Sequence, residues 1–242
     1  MIDVAMLTNP GGRDNNEDFI KMSSHNDDKC FVLCDGLGGH ECGEIASKLV
    51  ADTICDYFEK NGNSSDFLSK AINLAQEELL KLQKEKNMTN AMKTTVVVLV
   101  VSDEQVKWAH IGDSRLYHIY SSGTKYERTR DHSLVQVLLD MGEITEKELR
   151  NHNDRNKLLR VMGAEWGKKS FELSGVLEIE SGHGFALMTD GFWEYVTEDE
   201  MMNLYNTTEN AEQWLKEMEK IVVSKADMST TDNYSAICVK VN

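Results

Sequence analysis

The run Val96-Val97-Val98-Leu99-Val100-Val101 decides the fold of this chain. β-Branched residues favour an extended backbone, and successive side chains of a strand point to opposite faces of its sheet. Because both faces of this run are apolar, the strand should lie centrally, with cover on each side. Asp103-Glu104 follows and fits the turn of a hairpin that leads into a second apolar run at residues 106–111.

Further segments rich in valine and isoleucine are bounded by Gly, Asp, Asn or Ser, which predicts strands. The predicted strands are residues 4–7, 19–22, 30–34, 94–101, 106–111, 115–120, 185–188 and 235–241. The predicted helices are residues 44–59, 66–85, 133–141, 145–151, 197–204 and 210–225. Because helices and strands do not alternate strictly, the order favours antiparallel sheets covered by helices over a doubly wound sheet.

Composition excludes several classes of function. The chain has 242 residues, 40% hydrophobic and 28% charged, as is usual for one large globular domain or two small ones. Its formal net charge of −15 disfavours nucleic acid as a partner, since polyanions bind basic surfaces. The five cysteines form no Cys-x-x-Cys pair, which favours buried thiols in a reducing cytoplasm. We expect no signal peptide and no membrane span, because the chain lacks the apolar runs that both require.

Four aspartates lie at the ends of apolar runs or between them: Asp35, Asp113, Asp190 and Asp232. A carboxylate close to an apolar core is costly to desolvate unless it is paired or binds a metal. Few basic residues lie beside these four, so their pattern indicates cations rather than salt bridges. Carboxylate, carbonyl and water oxygens are the ligands that hard divalent cations take.

Each surrounding motif has an ordinary interpretation when it stands alone. The acidic stretch that contains Arg13, Glu17 and Asp18 could be a surface turn. The glycine-rich stretch after Asp35 lacks the lysine of a phosphate loop, so it could be a tight turn between a strand and a helix. Asp113 could form a salt bridge to the nearby Arg115. The combination of motifs is therefore more specific than any one of them.

Together, five segments resemble the metal-dependent protein phosphatases, the type 2C serine/threonine phosphatases, and most closely their bacterial branch. The shared patterns are Gly-x-Arg-x-x-Asn-Glu-Asp, Asp-Gly-x-Gly-Gly-His, Gly-Asp-Ser-Arg, Asp-Gly-x-Trp-Glu and a late Thr-x-Asp-Asn. They lie, in the same order, at residues 11–18, 35–40, 112–115, 190–194 and 230–233. The resemblance implies an α+β fold of two packed antiparallel sheets flanked by helices, a four-layer α-β-β-α sandwich. It also implies one catalytic domain over residues 1–242, with a small helical flap at roughly 131–174.

The same resemblance implies a set of oxygen ligands for two, and in bacterial members often three, Mn²⁺ or Mg²⁺ ions. The implied ligands are Glu17, Asp18, Asp35, Gly36, Asp113, Asp190 and Asp232. Asp35 would bridge two ions, and Gly36 would contribute its carbonyl oxygen. Asp190 and Asp232 would complete one shell and Glu17 would serve the other, while Asp18 holds a water ligand. Asp113 would bind the third ion together with Asp190.

The implied reaction is hydrolysis of phosphoserine and phosphothreonine by a metal-bridging hydroxide, with no covalent intermediate. Arg13 matches the phosphate-binding arginine of the family, and Asp35 and Asp190 would carry catalysis through the metals. The absence of a Cys-x₅-Arg loop excludes a cysteine phosphatase. The implied partners are phosphorylated proteins, including a bacterial serine/threonine kinase, and we expect a monomer.

Two departures from the family pattern leave questions open. Leu37 stands where animal members often carry a histidine, so the general acid is either a metal-bound water or, less favourably, His40. Lys93 replaces a glycine, and it could either point to solvent or alter substrate access. The alternative functions are a non-catalytic signalling module of the same fold and an unrelated metal hydrolase such as a nuclease.

Overall fold

The computed structural model describes residues 2–38, 42–88, 91–102, 104–167 and 170–242. The strands in these residues are β1 (Ile2–Asn9), β2 (Asp18–His25), β3 (Asp28–Leu37), β4 (Lys93–Thr94), β5 (Val96–Val101), β6 (Gln105–Ile111), β7 (Arg115–Ile119), β8 (Tyr126–Arg128), β9 (Glu172–Leu173), β10 (Leu177–Glu178), β11 (Gly184–Met188) and β12 (Tyr234–Val241). The helices are α1 (Cys42–Asn61), α2 (Phe67–Glu85), α3 (Leu134–Asp140), α4 (Glu146–Leu149), α5 (Asp190–Trp193), α6 (Glu198–Thr207) and α7 (Ala211–Lys225).

Two antiparallel sheets organise these strands. The first has the order β1-β12-β11-β7-β8. The second has the order β10-β6-β5-β3-β2, with β4 beside β3 and β9 beside β6. The last strand of the described chain, β12, therefore lies inside the first sheet, and β5 lies inside the second.

β5 shows why the fold has four layers. Its residues Val96, Val98 and Val100 pack in one apolar cluster with α1 and α2. Its alternate residues, including Leu99, pack in a second cluster that fills the space between the two sheets. A third cluster lies between the first sheet and its helices, mainly α6 and α7. This arrangement confirms the predicted central position of the strand and the predicted fold class.

Local signals placed most elements correctly. Two helices begin with a capping box, formed by Thr145 and Glu148 at the start of α4 and by Thr197 and Glu200 at the start of α6. The short strands β8, β9 and β10 were not predicted, because two or three residues are too few to show a periodicity. The predicted turn at Asp103-Glu104 falls partly outside the described residues.

The segment at 131–174 is only partly helical. It contains α3 and α4, then turns, and it ends in β9, which pairs with β6 in the second sheet. The expectation of a helical insertion therefore holds for its first half alone. Across the described chain, no helix has both the length and the apolar character that a bilayer span requires.

We predict that Leu99→Ala destabilises the protein by about 2–5 kcal/mol, because it leaves a cavity between two sheets that cannot close up freely. The side chain is fully buried between the sheets. Urea unfolding would measure the change, and Val223→Ala on the exposed face of α7 is the matched control. Equal stability of the two variants would contradict the four-layer packing.

Candidate metal centre

A cavity of about 350 Å³ brings together the acidic residues that the sequence singled out. We call it the carboxylate cavity. Its walls come from the β1–β2 loop, the end of β3, the β6–β7 loop, the start of α5, the residues before β12, and two residues of the segment at 131–174. It is lined by Arg13, Asn15, Glu17, Asp35, Gly36, Leu37, Gly38, Asp113, Asn156, Leu158, Asp190, Asp232 and Asn233.

Strand pairing fixes the deepest acidic residues. Asp18 at the start of β2 lies opposite Asp35 near the end of β3. The backbone N–H of Asp35 donates to Thr95 Oγ1 at 3.0 Å, and its carbonyl oxygen accepts from Thr95 N at 2.9 Å. Asp18 is buried behind the cavity, where its Oδ2 accepts from Thr189 Oγ1 at 3.0 Å. Asp35 therefore faces the cavity from a hydrogen-bonded backbone, and Asp18 lies opposite it on the neighbouring strand.

Asn233 joins the β1–β2 loop to the start of β12 at this cavity. Its Oδ1 accepts from the backbone N–H of Glu17 at 2.8 Å. Its Nδ2 donates to the carbonyl oxygens of Pro10 and Asn15, both at 2.9 Å. The side chain thus holds the β1–β2 loop, and with it Glu17, against the start of β12. The late Thr-x-Asp-Asn pattern was the only signal for this residue, and no role was predicted for it.

Glycines allow the close backbone approaches that the cavity requires. A Cβ atom on Gly191 would lie 2.1 Å from the carbonyl oxygen of Asn233. A Cβ atom on Gly36 would lie 2.4 Å from the carbonyl oxygen of Gly43 in α1. Because any side chain would push these segments apart, the glycine after Asp190 keeps Asp190 close to Asp232, and the glycine after Asp35 keeps α1 close to β3.

Asp113 faces the cavity because its nearby arginine is engaged elsewhere. Arg115 donates through Nε and Nη2 to the two oxygens of Asp131, at 2.9 and 2.7 Å. The guanidinium also stacks on the ring of Trp193, 3.5 Å from the ring centre. Trp193 in turn donates from Nε1 to the carbonyl oxygen of Asp113 at 3.0 Å. The salt bridge between Asp113 and Arg115 that the sequence left open is therefore absent.

The acidic side chains raise one another's pKa values. Burial is the main cause of a pKa well above the ordinary value for Asp35 and Asp113, and the neighbouring Asp190 adds to it. Burial, with nearby carboxylates, raises the pKa of Asp18 and of Asp190 to about 7. Among the described residues that line the cavity, Arg13 is the only cation, and its Nη2 lies 3.1 Å from Asp232 Oδ2.

This donor set fits divalent metal ions. Its side-chain donors are oxygens, as Mn²⁺ and Mg²⁺ prefer, and its charge is far from balanced by one exposed arginine. Bound cations would remove the mutual repulsion of the carboxylates and would keep them ionised. A sulfur- or imidazole-binding ion finds no such donors among the described residues that line the cavity.

The two departures from the family pattern lie near the rim. Leu37 lines the cavity, and its backbone pairs with that of Lys93 between β3 and β4. Lys93 is half-buried and is not among the described lining residues, so it lies beside the cavity rather than in it. His40, the weaker candidate for the general acid, lies outside the described residues.

Comparison with known proteins gives one consistent result. A sequence profile described as protein phosphatase 2C matches residues 12–230. The serine/threonine phosphatase stp of Listeria welshimeri is 29% identical over 238 residues, which span 95% of this chain and 92% of that protein. The crystal structure of serine/threonine phosphatase Stp1 from Staphylococcus aureus matches with a TM-score of 0.88 at 29% identity, covering 100% of this chain and 96% of that one.

A third comparison concerns the fold alone. The catalytic domain of the serine/threonine protein phosphatase PstP, solved in complex with two manganese ions, has a TM-score of 0.83 at 22% identity. The match covers 100% of this chain and 99% of that one. At this identity, the likeness shows that the two chains share the sandwich architecture.

We predict that the metal-free protein loses stability as the pH rises from about 4 to about 7 through the titration of Asp18 and Asp190. Below about pH 4 these groups are protonated in both the folded and unfolded chains. Between these limits the unfolded chain releases protons that the folded chain retains, so each group destabilises the fold as the pH rises.

Urea unfolding in EDTA at about pH 5 and about pH 7.5 would measure this slope. The same measurement on Asp190→Asn should give a shallower loss, because one of the two groups no longer titrates. Saturating Mn²⁺ should restore the stability of the wild-type protein at the higher pH. A steeper loss in the variant would contradict the assigned titrations.

Proposed function

The chain belongs to the protein phosphatase 2C family, and from this premise we propose that it hydrolyses phosphoserine and phosphothreonine in proteins. The observation that carries the proposal is the convergence of Asp35, Asp113, Asp190 and Asp232 in one cavity, beside an exposed arginine. Phosphoryl transfer needs mainly positioning and charge stabilisation, which this arrangement offers once divalent cations are bound.

We assign the metal ligands as the family resemblance implies. Asp35 and the carbonyl oxygen of Gly36 would hold two ions, with Asp190 and Asp232 completing one ligand set and Glu17 the other. Asp113 and Asp190 would hold a third ion, and Asp18 would orient a water ligand. All but Asp18 line the cavity, and Asp18 lies opposite Asp35 across the strand pair, which supports this division of roles.

When bound, Mn²⁺ or Mg²⁺ supplies an activated water nucleophile and offsets the negative charge that develops on the phosphoryl group. The chain's own residues bind and orient the phosphate. Arg13 has an exposed guanidinium at the cavity rim, where its planar donors suit phosphate oxygens. Its ion pair with Asp232 at 3.1 Å supports this role, because it keeps Arg13 beside the acidic residues of the cavity.

Substrates and setting follow from the same proposal. Asn156 and Leu158 line the cavity and belong to the segment at 131–174, which we propose acts as a flap over the bound phosphoprotein. By family likeness we propose a serine/threonine protein kinase among the substrates, a monomeric state and a cytoplasmic location. The flap is part of one catalytic domain that spans residues 1–242.

We predict that Asp190→Asn lowers turnover of a phosphothreonine peptide at saturating Mn²⁺ by at least about 10²-fold, because it removes a shared ligand oxygen. The metal-free fold should be retained, since a repelling carboxylate is removed. Phosphate release would be measured with and without Mn²⁺. The control is Asp27→Asn in the exposed β2–β3 turn, which should match the wild type.

Two results would count against the proposal in different ways. Near wild-type turnover in Asp190→Asn would refute the ligand assignment. Absence of Mn²⁺-dependent turnover in folded wild-type protein would refute the function and would favour a non-catalytic module of the same fold.

We predict that Arg13→Ala lowers kcat/KM by about 10²-fold, because it removes a charged donor that faces the phosphoryl oxygens. Arg13→Lys should recover only part of the loss, since an ammonium group cannot make two parallel hydrogen bonds. Steady-state kinetics on the phosphopeptide would measure both. Lys220→Ala removes another exposed ion-paired cation and serves as the control; an equal effect of both substitutions would exclude a specific role.

A further inference from the structure

A second group of chemically active side chains lies apart from the carboxylate cavity. His110 and His132 are buried, and their rings stack with centres 4.6 Å apart. Glu172 lies beside them, so that the ligand-type atoms of all three residues fall within 4.8 Å of one another. We call these three residues the histidine cluster. None of them is among the described residues that line the carboxylate cavity.

A hydrogen bond assigns the proton of the neutral His132 ring. His132 Nδ1 accepts from the backbone N–H of Gly112 at 3.2 Å, so the proton of the neutral ring lies on Nε2. This Nε2 lies 3.4 Å from Glu172 Oε1 but makes no hydrogen bond. Burial is the main cause that lowers the pKa of His132 to about 3, which keeps the ring neutral.

The other members are engaged as well. His110 Nε2 donates a hydrogen bond to the carbonyl oxygen of Arg130 at 2.9 Å. Arg160 Nη2 lies 3.2 Å from Glu172 Oε1 and supplies a positive charge where a metal ion would otherwise sit. The role of the histidine cluster follows from what His132 contacts.

On one side, His132 holds the residue that precedes Asp113. The backbone N–H of His132 donates to the carbonyl oxygen of Gly112 at 2.8 Å, while its ring accepts from the N–H of the same residue. Gly112 has a φ of +106°, a conformation that favours glycine, and a Cβ atom there would lie 2.6 Å from Thr95 Cβ. Both polar backbone groups of Gly112 thus depend on His132, and they set the direction in which Asp113 leaves the strand.

On the other side, His132 contacts the part of the flap around Leu158 and Leu159, which reaches the carboxylate cavity. Its carbonyl oxygen accepts from the N–H of Leu159 at 2.7 Å. The next residue, Ser133, forms a β-bridge with Leu158, which lines the cavity. His132 therefore contacts both the backbone of Gly112, beside Asp113, and the flap segment at Leu159.

We propose that His132 is a positioning residue that aims Asp113 at the third metal ion through its paired hydrogen bonds to Gly112. The proposal rests on the function proposed above, in which Asp113 is a metal ligand. Partners of this kind, which hold a ligand from behind, commonly account for about 10- to 100-fold in metal affinity.

Two substitutions separate the two ends of the imidazole. Asparagine branches at the same carbon as histidine, so His132→Asn can place Oδ1 where Nδ1 accepts from Gly112. His132→Gln instead places its amide nitrogen towards Glu172 and loses the acceptor for Gly112. We expect His132→Gln to weaken the lowest-affinity Mn²⁺ site by about 10- to 100-fold, whereas His132→Asn stays close to the wild-type value.

The test measures bound Mn²⁺ per chain by the electron paramagnetic resonance signal of free Mn²⁺, alongside phosphopeptide turnover. Asp113→Asn defines the loss of the third site. His118→Asn is the control, because His118 is also buried but lies in β7 of the first sheet. This substitution should lower thermal stability without changing Mn²⁺ binding.

Each outcome decides the proposal. Wild-type Mn²⁺ affinity in folded His132→Gln would overturn it. If His132→Gln does not fold, a loss of Mn²⁺ in His132→Asn as large as that in Asp113→Asn would also overturn it. Absence of turnover in the wild type would refute the proposed function, while the binding measurement would still report on His132.

Discussion

Mutual repulsion between carboxylates in a confined space is the constraint on which this structure depends. Four aspartates lie so close together that each has a raised pKa, to which neighbouring carboxylates contribute. They are Asp18, Asp35, Asp113 and Asp190. Left free, such side chains would separate or take up protons. They stay together because their backbones belong to, or directly adjoin, strands and a short helix that cannot move apart without breaking the core. The apolar sandwich therefore stores an unfavourable charge arrangement that cations relieve.

Hydrogen bonds at the strand ends convert this rigidity into a specific geometry. Thr95 holds the backbone of Asp35 on both sides, and its hydroxyl also lies 2.7 Å from Ser114 Oγ, next to Asp113. Asn233 Oδ1 accepts from the backbone N–H of Glu17. Small polar residues that satisfy several backbone groups thus hold the charged ones, as the cost of an unpaired buried polar group requires. These contacts fix the backbone from which the side chains of Asp35 and Glu17 project.

The sequence predicts much of this architecture because its signals are local. Alternating valines in β5 report on two buried faces, and a capping box reports on a helix start. The convergence of the acidic residues in one cavity was also predictable, since their motifs have the order that the family resemblance implies. The backbone contacts of Asn233 and His132 were not, because each is made with groups that lie more than ten residues away in sequence. The pairing of Arg115 with Asp131 instead of Asp113 was hidden for the same reason: charge alone does not determine which of two acids an arginine meets.

The position of β12 has a consequence for folding during protein synthesis. This strand separates β1 from β11, and Asp232 and Asn233 stand directly before it. Until residues 232–241 have been synthesised, the first sheet lacks an inner strand and the acidic site lacks one wall. Neither local helix formation nor hairpin closure can replace a contact between segments so far apart in sequence. The first sheet, and with it the wall of the acidic cavity that Asp232 and Asn233 provide, can therefore assemble only after β12 has been synthesised.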